Sequence, residues 1–135
     1  MPSLSFAQVQ AAMQAMIAEA TKLPNEPVAM AIVDAAGNLL AYNTIDNLRL
    51  FSRLHALRKA YTAAILGLDT GTNAQRLHSQ GRSVSEQGDT QITYGQGGLV
   101  IMQDGVILGC IGVGGYPSGQ RDEDLSRIGL SAMQL

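Results

Sequence analysis

The stretch Gly97 to Gly119 reads GGLVIMQDGVILGCIGVGGYPSG, and its pattern decides the fold. Two apolar runs, Leu99 to Met102 and Val106 to Val113, flank the pair Asp104-Gly105. Asp-Gly between such runs is the strongest short-range signal for a two-residue β-hairpin, because both turn positions then take positive φ. The second run, VILGCIGV, is apolar at consecutive positions, as expected of a central strand covered on both faces. The glycines in and after it, Gly109, Gly112, Gly114 and Gly115, remove side chains where another backbone, a helix or a ligand comes close.

Upstream, Pro27 to Val33 is continuously apolar and Leu39 to Thr44 alternates loosely, with the turn-rich Asp34 to Asn38 between them. This predicts a second antiparallel hairpin. Helices occupy the remaining periodic segments. Ser5 and Gln8 have capping-box spacing before Phe6, Val9, Met13, Met16, Ile17 and Ala20, and Pro24 ends that helix. Ser52 is the expected amino cap of a long helix running to about Leu66, with Gly67 at its end. On it, Leu54, Leu57, Tyr61, Ala64, Ile65 and Leu68 form the stripe expected to lie on the sheet, while His55, Arg58, Lys59 and Thr62 share another face. A third helix is expected from Thr72 to about Gln80, closed by Gly81, and a last one opens at Asp122, Glu123 and Asp124. Residues 82–96 read as a long polar loop of the kind that serves as a lid, an oligomer arm or a disordered segment, and part of Ser83 to Tyr94 is a candidate fifth strand. The order predicts an α+β fold with an antiparallel sheet of four to five strands, built from two hairpins and flanked by helices.

Composition narrows the functional classes. A chain of 135 residues is one domain, here 1–135, and with 46% hydrophobic and 15% charged residues it has much to bury. A net charge of −2 excludes the basic field that nucleic-acid binding needs. Two Phe, four Tyr and no Trp leave an aliphatic core rich in methionine. Cys110 is the only cysteine, which excludes an internal disulfide and a multi-cysteine zinc site, and its apolar setting reads as a small hydrophobe. With neither a membrane-length apolar run nor a signal-peptide pattern, a cytoplasmic protein without membrane partners is expected.

Three features bear on chemistry. The Gly112 to Gly119 segment joins a strand to a helix and can offer backbone N–H groups to an anion, but it fits neither a Rossmann fingerprint nor a P-loop, and three acids follow at 122–124. His55 and His78 are the only histidines; they do not have zinc-site spacing, yet a haem iron needs only one or two axial ligands, for which His55 is the first candidate. Lys59 sits beside the apolar stripe, placed to pair with Asp46, to meet an anionic ligand, or to lay its stem on the helix with its head in water.

Four segments carry a family resemblance: Ala31 to Ala41, Lys59 to Ala64 with Gly67, Gly97-Gly98, and Ile111 to Gly115 with Asp122-Glu123. In this order they resemble the GlcG/HbpS family, which includes the carboxy-terminal domain of PduO-type corrinoid adenosyltransferases and OrfY-like proteins encoded with glycerol or diol dehydratase genes. The resemblance implies an antiparallel sheet flanked by helices, assembly into homo-oligomers and, in some members, binding of haem or a related tetrapyrrole. By position it implies a cleft lined by Asp34, Lys59, Thr62, Gly97, Gly98, Gly114, Gly115 and Asp122. Thr93 to Ile101 departs from the pattern, lacking the histidine and proline many members carry there. The function implied is a small cytoplasmic accessory protein of cobalamin-dependent glycerol or diol metabolism, binding haem, another tetrapyrrole or a corrinoid. Two alternatives stand beside it. One is an enzyme for a small organic acid, with Lys59 as electrostatic clamp and Asp34, Asp46 or Asp122 as base; the other is a structural partner of a dehydratase or its reactivating factor.

Overall fold

Local signals start the architecture. In the computed structural model, which describes residues 2–135, the Ser5 hydroxyl accepts the Gln8 backbone N–H at 3.0 Å while the Gln8 side chain accepts that of Ser5 at 2.9 Å. This reciprocal cap opens α1, Phe6–Ala20. There follow β1 (Ala29–Asp34), β2 (Leu39–Thr44), α2 (Leu50–Leu66), α3 (Thr70–Ser79), a 3-10 turn (Val84–Gln87), β3 (Gly98–Gln103), β4 (Val106–Gly114) and α4 (Gly119–Ala132). At the β3–β4 turn Asp104 and Gly105 both have positive φ, +52° and +77°, as the Asp-Gly signal requires.

The two hairpins meet along β1 and β4, giving an antiparallel sheet in the order β2-β1-β4-β3. Four strands and four helices make the α+β fold expected. Among the described residues Ser83 to Tyr94 supplies no fifth strand; the segment forms the 3-10 turn instead, with Ser83 and Glu86 in a second capping box.

The sheet is covered on both faces. Met30, Ile32, Ile101, Ile111 and Val113 pack with Val9, Met13 and Met16 of α1, Leu125 of α4 and the following Met133. On the opposite face Ala31, Val33 and Cys110 meet Ala60 and Ala63 of α2, and Ala29 meets Ala56. Here the expected stripe of α2 is corrected. Its buried residues are Ala56, Lys59, Ala60, Thr62 and Ala63, whereas Leu54, Leu57 and Tyr61 are only partly buried and Ile65 is exposed. The cause lies in the sheet: Gly98, Gly112 and Gly114 present no side chains on this face, and a Cβ on Gly112 would strike the backbone of Ala56 and Ala60. The helix therefore settles on its small residues, and its larger ones flank the contact.

Three helix starts also differ from expectation. Arg49, not Ser52, precedes α2, without a side-chain cap. Asp69, not Thr72, precedes α3, and Ser118 caps α4 four residues ahead of Asp122. The side chains of Asp69 and Thr70 reach across to the sheet and accept the N–H groups of Val100 and Gly98, each at 2.9 Å. That satisfies donors on the outer edge of β3, where an unpaired strand would invite another chain.

Candidate functional site

A cleft of about 670 Å³ opens between α2 and α3. Phe51, His55 and Lys59 line it from successive turns of α2, and Gly71, Ala74, Gln75 and His78 from one face of α3. Thr93 to Gln96 and the start of α4, at Gly119 and Asp122, complete its walls.

Lys59 and Asp122 form its floor. The Lys59 ammonium donates to Asp122 Oδ2 at 2.8 Å and to the Val113 carbonyl at 2.9 Å, with the two side chains only 6% and 5% exposed. Asp122 Oδ1 accepts the Tyr116 N–H at 3.1 Å. Burial pushes the Asp122 carboxyl above the usual aspartate value, and the charge and hydrogen bond of Lys59 oppose that rise. Glycines make room for the lysine: a Cβ on Gly95 would stand 2.9 Å from Lys59 Cε, and one on Gly97 3.1 Å from its Nζ and 2.8 Å from the Val113 oxygen. With two of its three donors engaged, Lys59 is held as a structural cation rather than a free clamp. The partner is Asp122, 63 residues away, and not the expected Asp46.

His55 stands one turn nearer the mouth. Its Nδ1 lies 2.9 Å from the Phe51 carbonyl oxygen, and its ring stacks on that of Phe51 with centroids 4.1 Å apart. A carbonyl only accepts, so Nδ1 is the donor and Nε2 is the ring nitrogen left free of that bond. Hydrogen bonding through one ring nitrogen is how proteins fix an imidazole for ligation through the other. Phe51 and Tyr94, 70% and 52% exposed, give the cleft aromatic surface.

The other residues read from the sequence are dispersed. Thr62 is fully buried, and its hydroxyl accepts the Thr93 N–H at 3.0 Å, pinning the loop that forms one wall. Gly98 and Gly114 lie beneath α2, and Gly115 packs against Pro27 and Val28. Asp34 pairs with Gly109, about 13 Å along β4 from Val113. Its carboxylate accepts the N–H groups of Ala36 and Asn38, each at 2.9 Å, which holds its pKa below the usual value with the Asn38 bond foremost. The structure thus brings His55, Lys59, Gly97 and Asp122 together and sets Asp34 apart from them at the end of β1, where the turn to β2 begins. Phe51, Ala74, Tyr94 and Gln96 were not marked in the sequence; only the i, i+4 spacing of Phe51 and His55 was available to suggest a pair.

Among the described residues, no three His, Cys, Asp or Glu side chains converge to hold a bare metal ion, and no helix is long and apolar enough to cross a membrane. A smaller hollow of about 330 Å³ lies between the end of α1 and α4. There Arg121 covers the Tyr116 ring at 4.4 Å and pairs with Glu26, an arrangement that ties α4 to the chain after α1.

Comparison with known proteins agrees with the fold. Residues 4–131 match the family model described as haem degrading protein HbpS-like. An uncharacterised 15.0 kDa protein of the dhaT-dhaS intergenic region of Citrobacter freundii is 30% identical over 115 residues, 84% of this chain and 80% of that protein. Among solved structures, a PduOC haem complex superposes with a TM-score of 0.86 at 25% identity, covering 97% of this chain and 95% of that one. The Klebsiella pneumoniae protein ORFY superposes with a TM-score of 0.87 at 24% identity, covering 99% and 92%, and shares the fold.

Proposed function

The chain belongs to the HbpS-like family, and from that premise we propose that the α2–α3 cleft binds haem or a closely related tetrapyrrole, with His55 as axial ligand. The observation that carries this reading is the bond between His55 Nδ1 and the Phe51 carbonyl, which frees Nε2 for iron beside aromatic surface. Donor type and size both fit: imidazole is a common axial ligand, and about 670 Å³ lies within the range of small-molecule clefts, about 300–1,000 Å³. The haem bound by the PduOC relative supports the same reading. In this arrangement Lys59 and Asp122 brace the floor. Phe51 fixes the imidazole, and the Thr62-anchored loop closes one wall. The bound group would supply redox and ligand-exchange chemistry at its metal.

The wider role we propose is that of a small cytoplasmic accessory to glycerol or diol metabolism, supported by the genomic position of the Citrobacter relative. A corrinoid is the alternative ligand of the same cleft. Phe51, 70% exposed in the cleft wall, and its chain neighbour Leu50, 67% exposed, support completion of the site in a homo-oligomer. Titration of the purified protein with haemin and, separately, cobalamin tests the assignment by visible spectroscopy. Haemin is expected to give a shifted Soret band at one equivalent per chain, and His55→Ala to weaken binding at least tenfold. No shift with haemin at tens of micromolar overturns the haem reading, and a response to cobalamin alone transfers the site to the corrinoid.

A further inference from the structure

We propose that residues 88–96 form a hinged strap that gates the cleft, held down on α2 by a latch between Tyr61 and Asp89. The gate rests on the reading of the cleft as a ligand site; the latch does not. These residues lie between the 3-10 turn and β3 in neither helix nor strand, and among the described residues four side-chain bonds tie them to other elements. The Tyr61 hydroxyl donates to Asp89 Oδ2 at 2.6 Å, and Arg58 Nε donates to Gln91 Oε1 at 3.4 Å. The Thr93 N–H donates to the Thr62 hydroxyl at 3.0 Å, and the Gln96 amide to the Gln120 side chain at 3.2 Å. Ile92 is the only apolar side chain the segment buries. So few bonds and so little apolar burial mark a segment that opens locally, ahead of global unfolding.

The order of the partners gives its path. At about 100° per residue, Tyr61, Arg58, Thr62 and Lys59 follow one another around α2, and they meet Asp89, Gln91, Thr93 and Gly95 in that order. The strap therefore wraps the helix from a side that does not line the cleft, where Tyr61 covers Gly37, to the side where Thr93 to Gln96 form a wall. Its two ends are built differently. Gly88, at φ +80°, has open space where a Cβ would stand, whereas Gly97, at φ +134°, is wedged against the Val113 carbonyl and Asp122. The first end is free to turn; the second is fixed to the sheet. When the Tyr61 and Thr62 bonds open together, residues 93–96 leave the wall and the cleft widens beside His55 and Lys59. A ligand that touches Tyr94 or Gln96 holds the strap down.

The test uses the full-length protein. Tyr61→Phe keeps the ring over Gly37 and deletes only the donor of the latch. Without ligand, hydrogen exchange of the amides in 90–96 is expected to quicken about two- to tenfold, with α1 and β4 unchanged. Thr62→Val should act in the same direction at Thr93. Unchanged exchange in the segment, or acceleration spread equally over α1 and β4, overturns the latch. With haemin, uptake by stopped flow and transfer of the bound group to an excess of an acceptor protein should both quicken about two- to tenfold in Tyr61→Phe, so that affinity moves less than either rate. Faster exchange with both haemin rates unchanged overturns the gate. If the wild type takes up no haemin, the parent reading and the gate fall together, and hydrogen exchange alone decides the latch.

Discussion

The two faces of the sheet are built on opposite rules. The face toward α1 and α4 is filled by long flexible side chains, Met13, Met16, Met30 and Met133 among them, and its strength is the apolar area it removes from water. The face toward α2 has alanines and glycines, and its strength is close backbone approach, as at Ala56 and Ala60 over Gly112. The first face tolerates adjustment; the second fixes a helix in position. It is the second that carries His55, Lys59 and the cleft. Bulk stabilises the molecule, and its absence positions the site.

The largest effect expected from breaking this contrast is at the one charged residue buried on the small-residue face. Lys59→Met strands a buried carboxylate and should cost about 3–5 kcal/mol in urea unfolding at pH 7. Burial already raises the Asp122 pKa and Lys59 opposes it, so removing Lys59 raises it further. The folded variant then binds a proton more readily than its unfolded chain, and part of the loss should be regained as the pH falls from 7 toward 5. The double variant Lys59→Met/Asp122→Asn, which keeps an acceptor for the Tyr116 N–H, should recover most of it at neutral pH. Equal losses at both pH values would show that the pair is not the cause.

A smaller pair of effects sharpens the comparison. Met16→Ala removes a fully buried side chain from the opposite face and should cost about 2–5 kcal/mol while leaving haemin affinity unchanged. Gly112→Ala adds one methyl against the α2 backbone and should cost about 1–3 kcal/mol but also weaken haemin binding, because α2 must lift and take His55 with it. If both variants shift affinity alike, the division of labour between the faces is wrong. The smallest effect needs no substitution. Cys110 lies under α2, and burial pushes its thiol up to about 12, so the native protein should resist thiol reagents at neutral pH and label only on unfolding.

What the sequence made legible follows the range of the interactions. The Asp104-Gly105 turn, the Ser5-Gln8 cap and the Gly67 helix end are decided within four residues, and each stands where the pattern puts it. The buried face of α2 did not follow from its own pattern. A stripe of Leu and Tyr outranks Ala by hydrophobicity, and the choice was made by glycines about fifty residues downstream. The partner of Lys59 was hidden for the same reason, because Asp122 belongs to another element with no spacing relation to it. His78 was visible as a residue, but its place in the same cleft as His55 depends on how α3 folds back from Gly67 to Asp69. The polar stretch 82–96 showed its irregularity but not its anchors, the Thr62 hydroxyl and the Ser83-Glu86 cap.

The junction of β1 with β4 has a kinetic consequence. Each hairpin closes over a short span, but the central pairing joins Ala29 to Gly114 across the intervening chain, a closure that such topologies complete late. During synthesis Lys59 emerges well before Val113 and Asp122, so its ammonium remains hydrated until the carboxy-terminal part of the chain arrives. The onset of ligand binding would therefore time the last long-range step of folding.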